Sequence, residues 1–198
     1  LDENFTIEHD DRGMTAESSR VIRSNMSFLL NDAEGQVILT TSTIKGEGKS
    51  FVSYNIAKSY NSLGKKVLLI GADLRNPQVH TLLGIERGNL GLSTFLNDVN
   101  YNDLDKLIVK GKSVNEMDYL LSGAIPPNPS ELLMRPRMKE LLEILKSSYD
   151  IIVLDTAPLL LVSDTTPLLP LCDLVVYVSR AQYSDKNIFP FIRDMHSR

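Results

Sequence analysis

Residues 40–50, TTSTIKGEGKS, carry the plainest chemistry: an apolar run leads into two glycines and closes on Gly48-Lys49-Ser50, where a helical pattern begins. Gly46 and Gly48 lack side chains, so successive backbone N–H groups can converge on polyphosphate oxygens. The unpaired amides of the following helical turn add a positive dipole end. Lys49 would set a compact ammonium against the β- and γ-phosphates, and the Ser50 hydroxyl would complete a Mg²⁺ shell. The strict spacing G-x-x-x-x-G-K-[ST] is broken at its first position, where Thr43 stands. A plain strand-to-helix turn leaves Lys49 unexplained, because its charge opposes the helix dipole unless an anion is present. Gly46, Glu47, Gly48, Lys49, Ser50 and Phe51 are therefore the candidate nucleotide-binding residues.

Two carboxylates end apolar runs, as a nucleotide–Mg²⁺ site requires. Ile151 to Asp155 has the form of a Walker B strand, and the run from Val67 reaches Asp73 two residues into its loop. Either acid alone could be a turn or helix-cap residue. Ligands gather at the C-terminal edge of a parallel sheet, so Asp73, Asp155 and the phosphate loop should meet in one crevice. There Ser50, Asp73 and Asp155 are the candidate Mg²⁺ ligands, and Lys49, Asp73 and Asp155 the candidate catalytic set, with Asp73 as base or orienting group. Arg75 is either a phosphate contact or a solvated loop residue.

The elements that must hold these groups are legible in the hydropathy pattern. Val37 to Thr41, Val67 to Gly71, Ile151 to Asp155 and Leu174 to Ser179 are rich in Val, Ile and Leu without polar alternation. Strands covered on both faces read this way. Tyr119 to Leu121 is a weaker fifth. Ser50 to Leu63 has apolar residues at helical spacing, with Gly64 as a stop. Leu132 to Ser147 predicts one helix, with Arg137, Lys139, Glu140, Glu143 and Lys146 on a solvated face. Pro126, Pro127 and Pro129 predict an extended loop before it, and Ser130 is a candidate cap. Thr15 to Leu30 predicts a further helix on which Glu17, Arg20 and Arg23 share one side. The expectation is a single α/β domain over residues 1–198, a mostly parallel, P-loop NTPase-like sheet flanked by helices on both faces.

Composition narrows the rest. With 198 residues, 42% hydrophobic and 23% charged, the chain can bury a core, which excludes a disordered tail or a fibre. A formal charge of −4 argues against nucleic acid as partner. Cys172 is alone, so no internal disulfide forms. His9, His80 and His196 form no constellation.

These residues resemble the bacterial tyrosine kinase family, the cytoplasmic ATP-binding domains of polysaccharide co-polymerases. ESSRVIRSNMSF at 17–28 resembles its E-x-x-R-x-x-R helix, TTSTIKGEGKS its Walker A, and VLLIGADLRNPQVHTLLG at 67–84 its A′ motif. GLSTFL at 91–96, LLSGAIPPNPSELL at 120–133 and IIVLDTAPLLLVSDT at 151–165 follow in family order. The resemblance implies an ATP- and Mg²⁺-dependent protein-tyrosine kinase, autophosphorylating in trans, that regulates capsule or exopolysaccharide synthesis and export. It implies tyrosine-containing protein substrates and a transmembrane co-polymerase segment as partner. The domain would lie on the cytoplasmic side of the inner membrane or of a membrane-associated complex. Glu17, Arg20 and Arg23 would form subunit contacts in a ring, commonly an octamer. Gly71 stands where many members carry a first A′ acid, and the family's terminal tyrosine cluster is absent from these residues. The rival readings are a partition- or cell-division-type ATPase, whose signature lysine position is Ile44 here, and a nucleotide-binding module without catalysis.

Overall fold

The computed structural model describes residues 13–30, 35–111, 116–160, 164–188, 190 and 192–193. The strands are β1 (Gln36–Ser42), β2 (Val67–Gly71), β3 (Ile108–Val109), β4 (Asp118–Leu120), β5 (Ile151–Asp155) and β6 (Leu174–Val178). The helices are α1 (Met14–Ser27), α2 (Lys49–Asn61), α3 (Val79–Leu82), α4 (Leu92–Asn97), α5 (Pro129–Leu133) and α6 (Pro136–Lys146), with short 3₁₀ turns between some of them.

The strands form one six-stranded sheet in the order β3-β4-β2-β5-β1-β6. Every pairing is parallel except β3 with β4. Strands β1, β2 and β5 are buried at every residue because helices cover both faces. Side chains alternate along each strand and so divide between two cores. Val37, Leu39, Leu68, Ile70, Ile152 and Leu154 cluster with Phe95 of α4, Leu132 of α5 and Leu141 and Leu145 of α6. Ile38, Leu69, Ile151 and Val153 cluster with Ile56, Ala57 and Tyr60 of α2, Val79 of α3 and Met26 of α1.

The expected fold class stands, and most predicted elements shift by one to three residues. Two differences have clear causes. The helix predicted over Leu132 to Ser147 is two helices, because Pro136 has no N–H to donate and forces Arg135 out of helical conformation (φ −65°, ψ 145°). Pro136 instead opens α6, where its missing N–H costs nothing. Arg137, expected on a solvated face, packs its guanidinium 4.0 Å from the Phe95 ring and donates to the Phe95 carbonyl at 2.6 Å. It therefore ties α6 to α4. Strand β3 and helices α3 and α4 span only two to six residues, too short to show a period.

Cys172 is half-buried, its thiol pushed up to about 12 by burial. The side chain of His80 meets the Thr81 hydroxyl at 3.2 Å. His9 and His196 lie outside the described residues.

Candidate functional site

The site forms where β1, β2 and β5 end together. Register sets Thr40 and Gly71 on either side of Asp155. The amides of Ala72 and Asp73 both donate to the Asp155 carbonyl, at 2.8 and 2.9 Å. Those two backbone bonds fix the spacing of the acids before any side chain contributes.

Strand β1 runs into the glycine loop, which turns by left-handed conformations at Gly46 (φ 92°) and Gly48 (φ 94°). Side chains other than glycine rarely adopt them. Gly48 caps α2, so Lys49 is its first residue, and no acid occupies the first turn. A cavity of about 600 Å³ opens here, bordered by Gly46, Gly48, Lys49, Ser50, Asp73 and Arg75. Phe51 also lines it. The Glu47 side chain is turned away from solvent and binds the loop itself: its carboxylate accepts from the Ile44 amide at 2.8 Å and from the Ser184 hydroxyl. Thr43, the residue in place of the first motif glycine, is buried with its hydroxyl 2.6 Å from that of Tyr177.

Three charges meet under the loop. Lys49 Nζ is 3.0 Å from Asp155 Oδ1 and 3.6 Å from Asp73 Oδ2, with the Ser50 hydroxyl at 3.4 Å. All three charged side chains are buried. One cation faces two anions, so the cluster has a formal charge of −1 when all are ionised. Burial pushes the Asp73 carboxyl above the ordinary aspartate range; Lys49 and the Asn76 amide pull it back, and neighbouring Asp155 pushes it up. Asp155 Oδ2 is buried and finds no partner among the described residues, which ordinarily costs about 1–3 kcal/mol. An acceptor left open in this way suits a water or a cation. The donor set of Ser50, Asp73 and Asp155 is all oxygen, as Mg²⁺ prefers, and leaves further positions to phosphate oxygens and water. Among the described residues no group of three or more His, Cys, Asp or Glu is assembled for a metal, so protein alone does not build a full shell.

Arg75 stays exposed at the cavity rim, and its guanidinium is already engaged. It grips buried Asp164 through Nε at 2.5 Å and Nη2 at 3.1 Å, and reaches the Ser130 hydroxyl at 3.1 Å. Ser130 does not cap α5; Asn128 holds the cap position and the Ser130 hydroxyl binds Asp164. Two contributors escaped the sequence reading. Ser53, one helical turn beyond Lys49, has its hydroxyl 3.2 Å from Asp155 Oδ1, a placement the helix period could have shown. The turn around residues 180–184 grips the glycine loop from far along the chain, and no local pattern announces such a contact.

On α1, Arg20 pairs with Glu17 at 3.0 Å, and both side chains are exposed. Arg23 points inward and donates to the Ser59 carbonyl of α2 at 2.7 Å, next to that helix's negative end. The three residues therefore do not act as one surface group. Among the described residues no helix is long and apolar enough to cross a membrane.

Residues 35–197 match the AAA domain family. The chain is 37% identical over 160 residues to the tyrosine-protein kinase YwqD of Bacillus subtilis (strain 168), covering 81% of this chain and 66% of that protein. It is 38% identical over 145 residues to the tyrosine-protein kinase etk of Escherichia coli (strain K12), covering 73% of this chain and 19% of etk. The solved kinase domain of Escherichia coli ETK superposes with a TM-score of 0.82 at 32% identity, over 92% of this chain and 70% of that one. The chimerical protein CapA2B2 superposes with a TM-score of 0.86 at 31% identity, over 98% of this chain and 84% of that one. The chain spans about a fifth of the length of etk and of the tyrosine-protein kinase relatives from Klebsiella pneumoniae, Ralstonia solanacearum and Erwinia amylovora.

Proposed function

The chain belongs to the bacterial tyrosine kinase family, and from that premise we propose that it transfers the γ-phosphoryl group of ATP to tyrosine hydroxyls of proteins, including other copies of itself. One observation carries the reading: a glycine loop, a buried lysine and the buried Asp73 border one cavity, and the lysine reaches a second buried strand-end aspartate, Asp155, behind it.

In the proposed cycle the amides around residues 46–50 and the Lys49 ammonium hold the polyphosphate. Lys49, which pairs with Asp73 and Asp155 before nucleotide arrives, turns toward the phosphates. The acids are thereby left with negative charge to be met. Ser50 and Asp155, with Asp73 beside them, would hold magnesium, which when bound screens the charge of the phosphate oxygens during transfer. Asp73 takes the proton of the attacking hydroxyl, and burial raises its proton affinity in the direction a base requires. Gly71 supplies no carboxylate, so this work falls on Asp73 and Asp155.

The wider role follows the family: control of capsule or exopolysaccharide synthesis and export, on the cytoplasmic side of a membrane, with a transmembrane co-polymerase segment as partner. Relatives several times longer than this chain support a domain that works within a larger assembly. The proposed ring contact uses the exposed Glu17 and Arg20, with Arg23 seating α1 on α2.

Labelled ATP separates the readings. Label on protein tyrosine is the result expected. Free phosphate alone would mean a switch-type ATPase, and neither product would mean a binding module.

A further inference from the structure

The geometry points to Tyr183 as a modification site: a latch on the phosphate loop that phosphoryl transfer from a second copy of the chain opens. The inference rests on the kinase reading and adds to it a target and a consequence.

The chain has seven tyrosines. Tyr54, Tyr60 and Tyr149 are buried, and Tyr101, Tyr119 and Tyr177 are half-buried. Tyr183 alone is exposed, at 49%. It sits on a tight turn in which the amides of Tyr183 and Ser184 both donate to the Arg180 carbonyl, at 3.1 and 2.9 Å. The Arg180 amide in turn donates to the Ser184 hydroxyl at 2.7 Å. Between them lies Gln182 in the left-handed region (φ 61°), which non-glycine residues seldom adopt.

That turn holds three successive residues of the phosphate loop. The Tyr183 hydroxyl donates to the Lys45 carbonyl at 3.0 Å, Arg180 donates to the Gly46 carbonyl at 3.2 Å, and the Ser184 hydroxyl donates to the Glu47 carboxylate. The fit is close, for a Cβ at Gly46 would lie 2.9 Å from the Tyr183 oxygen. The turn grips the loop by two carbonyls and the Glu47 carboxylate, whereas an anion is held by its amides. Tyr183 therefore lies outside the cavity and is not in line with a nucleotide in its own copy.

Transfer then occurs between copies. The Tyr183 oxygen bonds to the γ-phosphorus as the bond to the β,γ-bridging oxygen breaks, ADP leaves, and the phenolic proton passes to Asp73 of the copy holding the nucleotide. The resulting ester has no proton for the Lys45 carbonyl and carries about −1.5 to −2 charge at neutral pH. It repels the Lys45 and Gly46 carbonyls and the Glu47 carboxylate. It attracts Arg180, whose guanidinium already lies 5.3 Å from the ring, and draws it off Gly46. Two of the three ties are lost, and the loop holds nucleotide less well.

The test incubates the 198-residue chain with Mg²⁺, ATP and a soluble glutamate–tyrosine copolymer, then maps phosphotyrosine by mass spectrometry and titrates ADP into the separated phosphorylated and bare proteins. The expected result is label on Tyr183 at a rate per chain that rises with protein concentration. ADP binding should weaken about five- to tenfold in the phosphorylated protein, the size of one or two lost hydrogen bonds with like-charge repulsion. Tyr183→Phe, which removes only the hydroxyl, should end that labelling and the ATP-dependent fall in ADP affinity. Labelled copolymer with bare Tyr183 would overturn the inference and leave the kinase reading standing. Label on Tyr183 without a change in ADP affinity would overturn the latch, and no label on either protein or copolymer would overturn the kinase reading and this inference with it.

Discussion

Two aspartates, Asp155 and Asp164, are fully buried, and their surroundings differ in kind. Asp164 has both oxygens engaged, by the Arg75 guanidinium in two places and by the Ser130 hydroxyl. Asp155 is as deeply buried, yet one of its oxygens has no partner among the described residues and the other shares Lys49 with Asp73. Burial is the same and satisfaction is opposite. A fully paired buried carboxylate joins segments, here the loop after β2, the start of α5 and the chain beyond β5. A buried carboxylate with an open acceptor and a shared cation is placed to change partners when a ligand arrives.

The difference between the two aspartates rests most heavily on Lys49. Lys49→Met removes the charge that both acids and the polyphosphate require, so phosphoryl transfer should fall at least about a hundredfold, with weakened nucleotide binding. Unchanged phosphorylation in that variant would refute the site. Asp155→Asn keeps the shape and loses the charge. Mg²⁺-dependent transfer should drop about ten- to a hundredfold while metal-free nucleotide binding changes little, as titrations with and without the metal can establish.

The contrasting expectation holds for the paired aspartate. Arg75→Ala leaves Asp164 buried with only Ser130, and denaturant unfolding should show about 1–3 kcal/mol of lost stability, with the magnesium dependence of transfer preserved. A variant of undiminished stability would mean that the two clusters do not differ in the way described.

A smaller effect concerns pH. Burial lifts the proton affinity of Asp73, so ionising it costs the nucleotide-free fold. Its contribution to stability is full below the ordinary aspartate pKa and declines as pH rises through the raised value. Asp73→Asn should flatten that part of the stability curve, and the acid limb of the transfer rate should lie above the ordinary aspartate range. The smallest effect belongs to the exposed Glu17–Arg20 pair. If it joins subunits, oligomer size in light scattering should fall as salt rises, because exposed charges are screened over about 8–10 Å at ordinary ionic strength.

Much of this was legible before any coordinates. The covered strands showed as unbroken runs of Val, Ile and Leu, and two of them, Val67–Gly71 and Ile151–Asp155, have the bounds the sequence predicts. The convergence of Lys49, Asp73 and Asp155 followed from strand-end placement in a parallel sheet. What stayed hidden depends on contacts between distant residues. Nothing near Arg75 announces Asp164, and nothing near Lys45 announces Tyr183. Arg137 looked solvated because a helix period cannot say that a neighbouring α4 carbonyl lies within its reach. Pro136 was readable in principle, since a proline inside an apolar helical stripe breaks it, and there the stripe outweighed the break.

The central claim is that Lys49, Asp73 and Asp155 form a poised charge cluster that opens to a triphosphate and its metal. A crystal structure with a non-hydrolysable ATP analogue and Mg²⁺ tests it most directly. The account predicts phosphate oxygens on the amides of residues 46–50, Lys49 turned from Asp73 toward them, and the metal against Ser50 and Asp155. Polyphosphate bound elsewhere, with Lys49 still seated between the two aspartates, would contradict it.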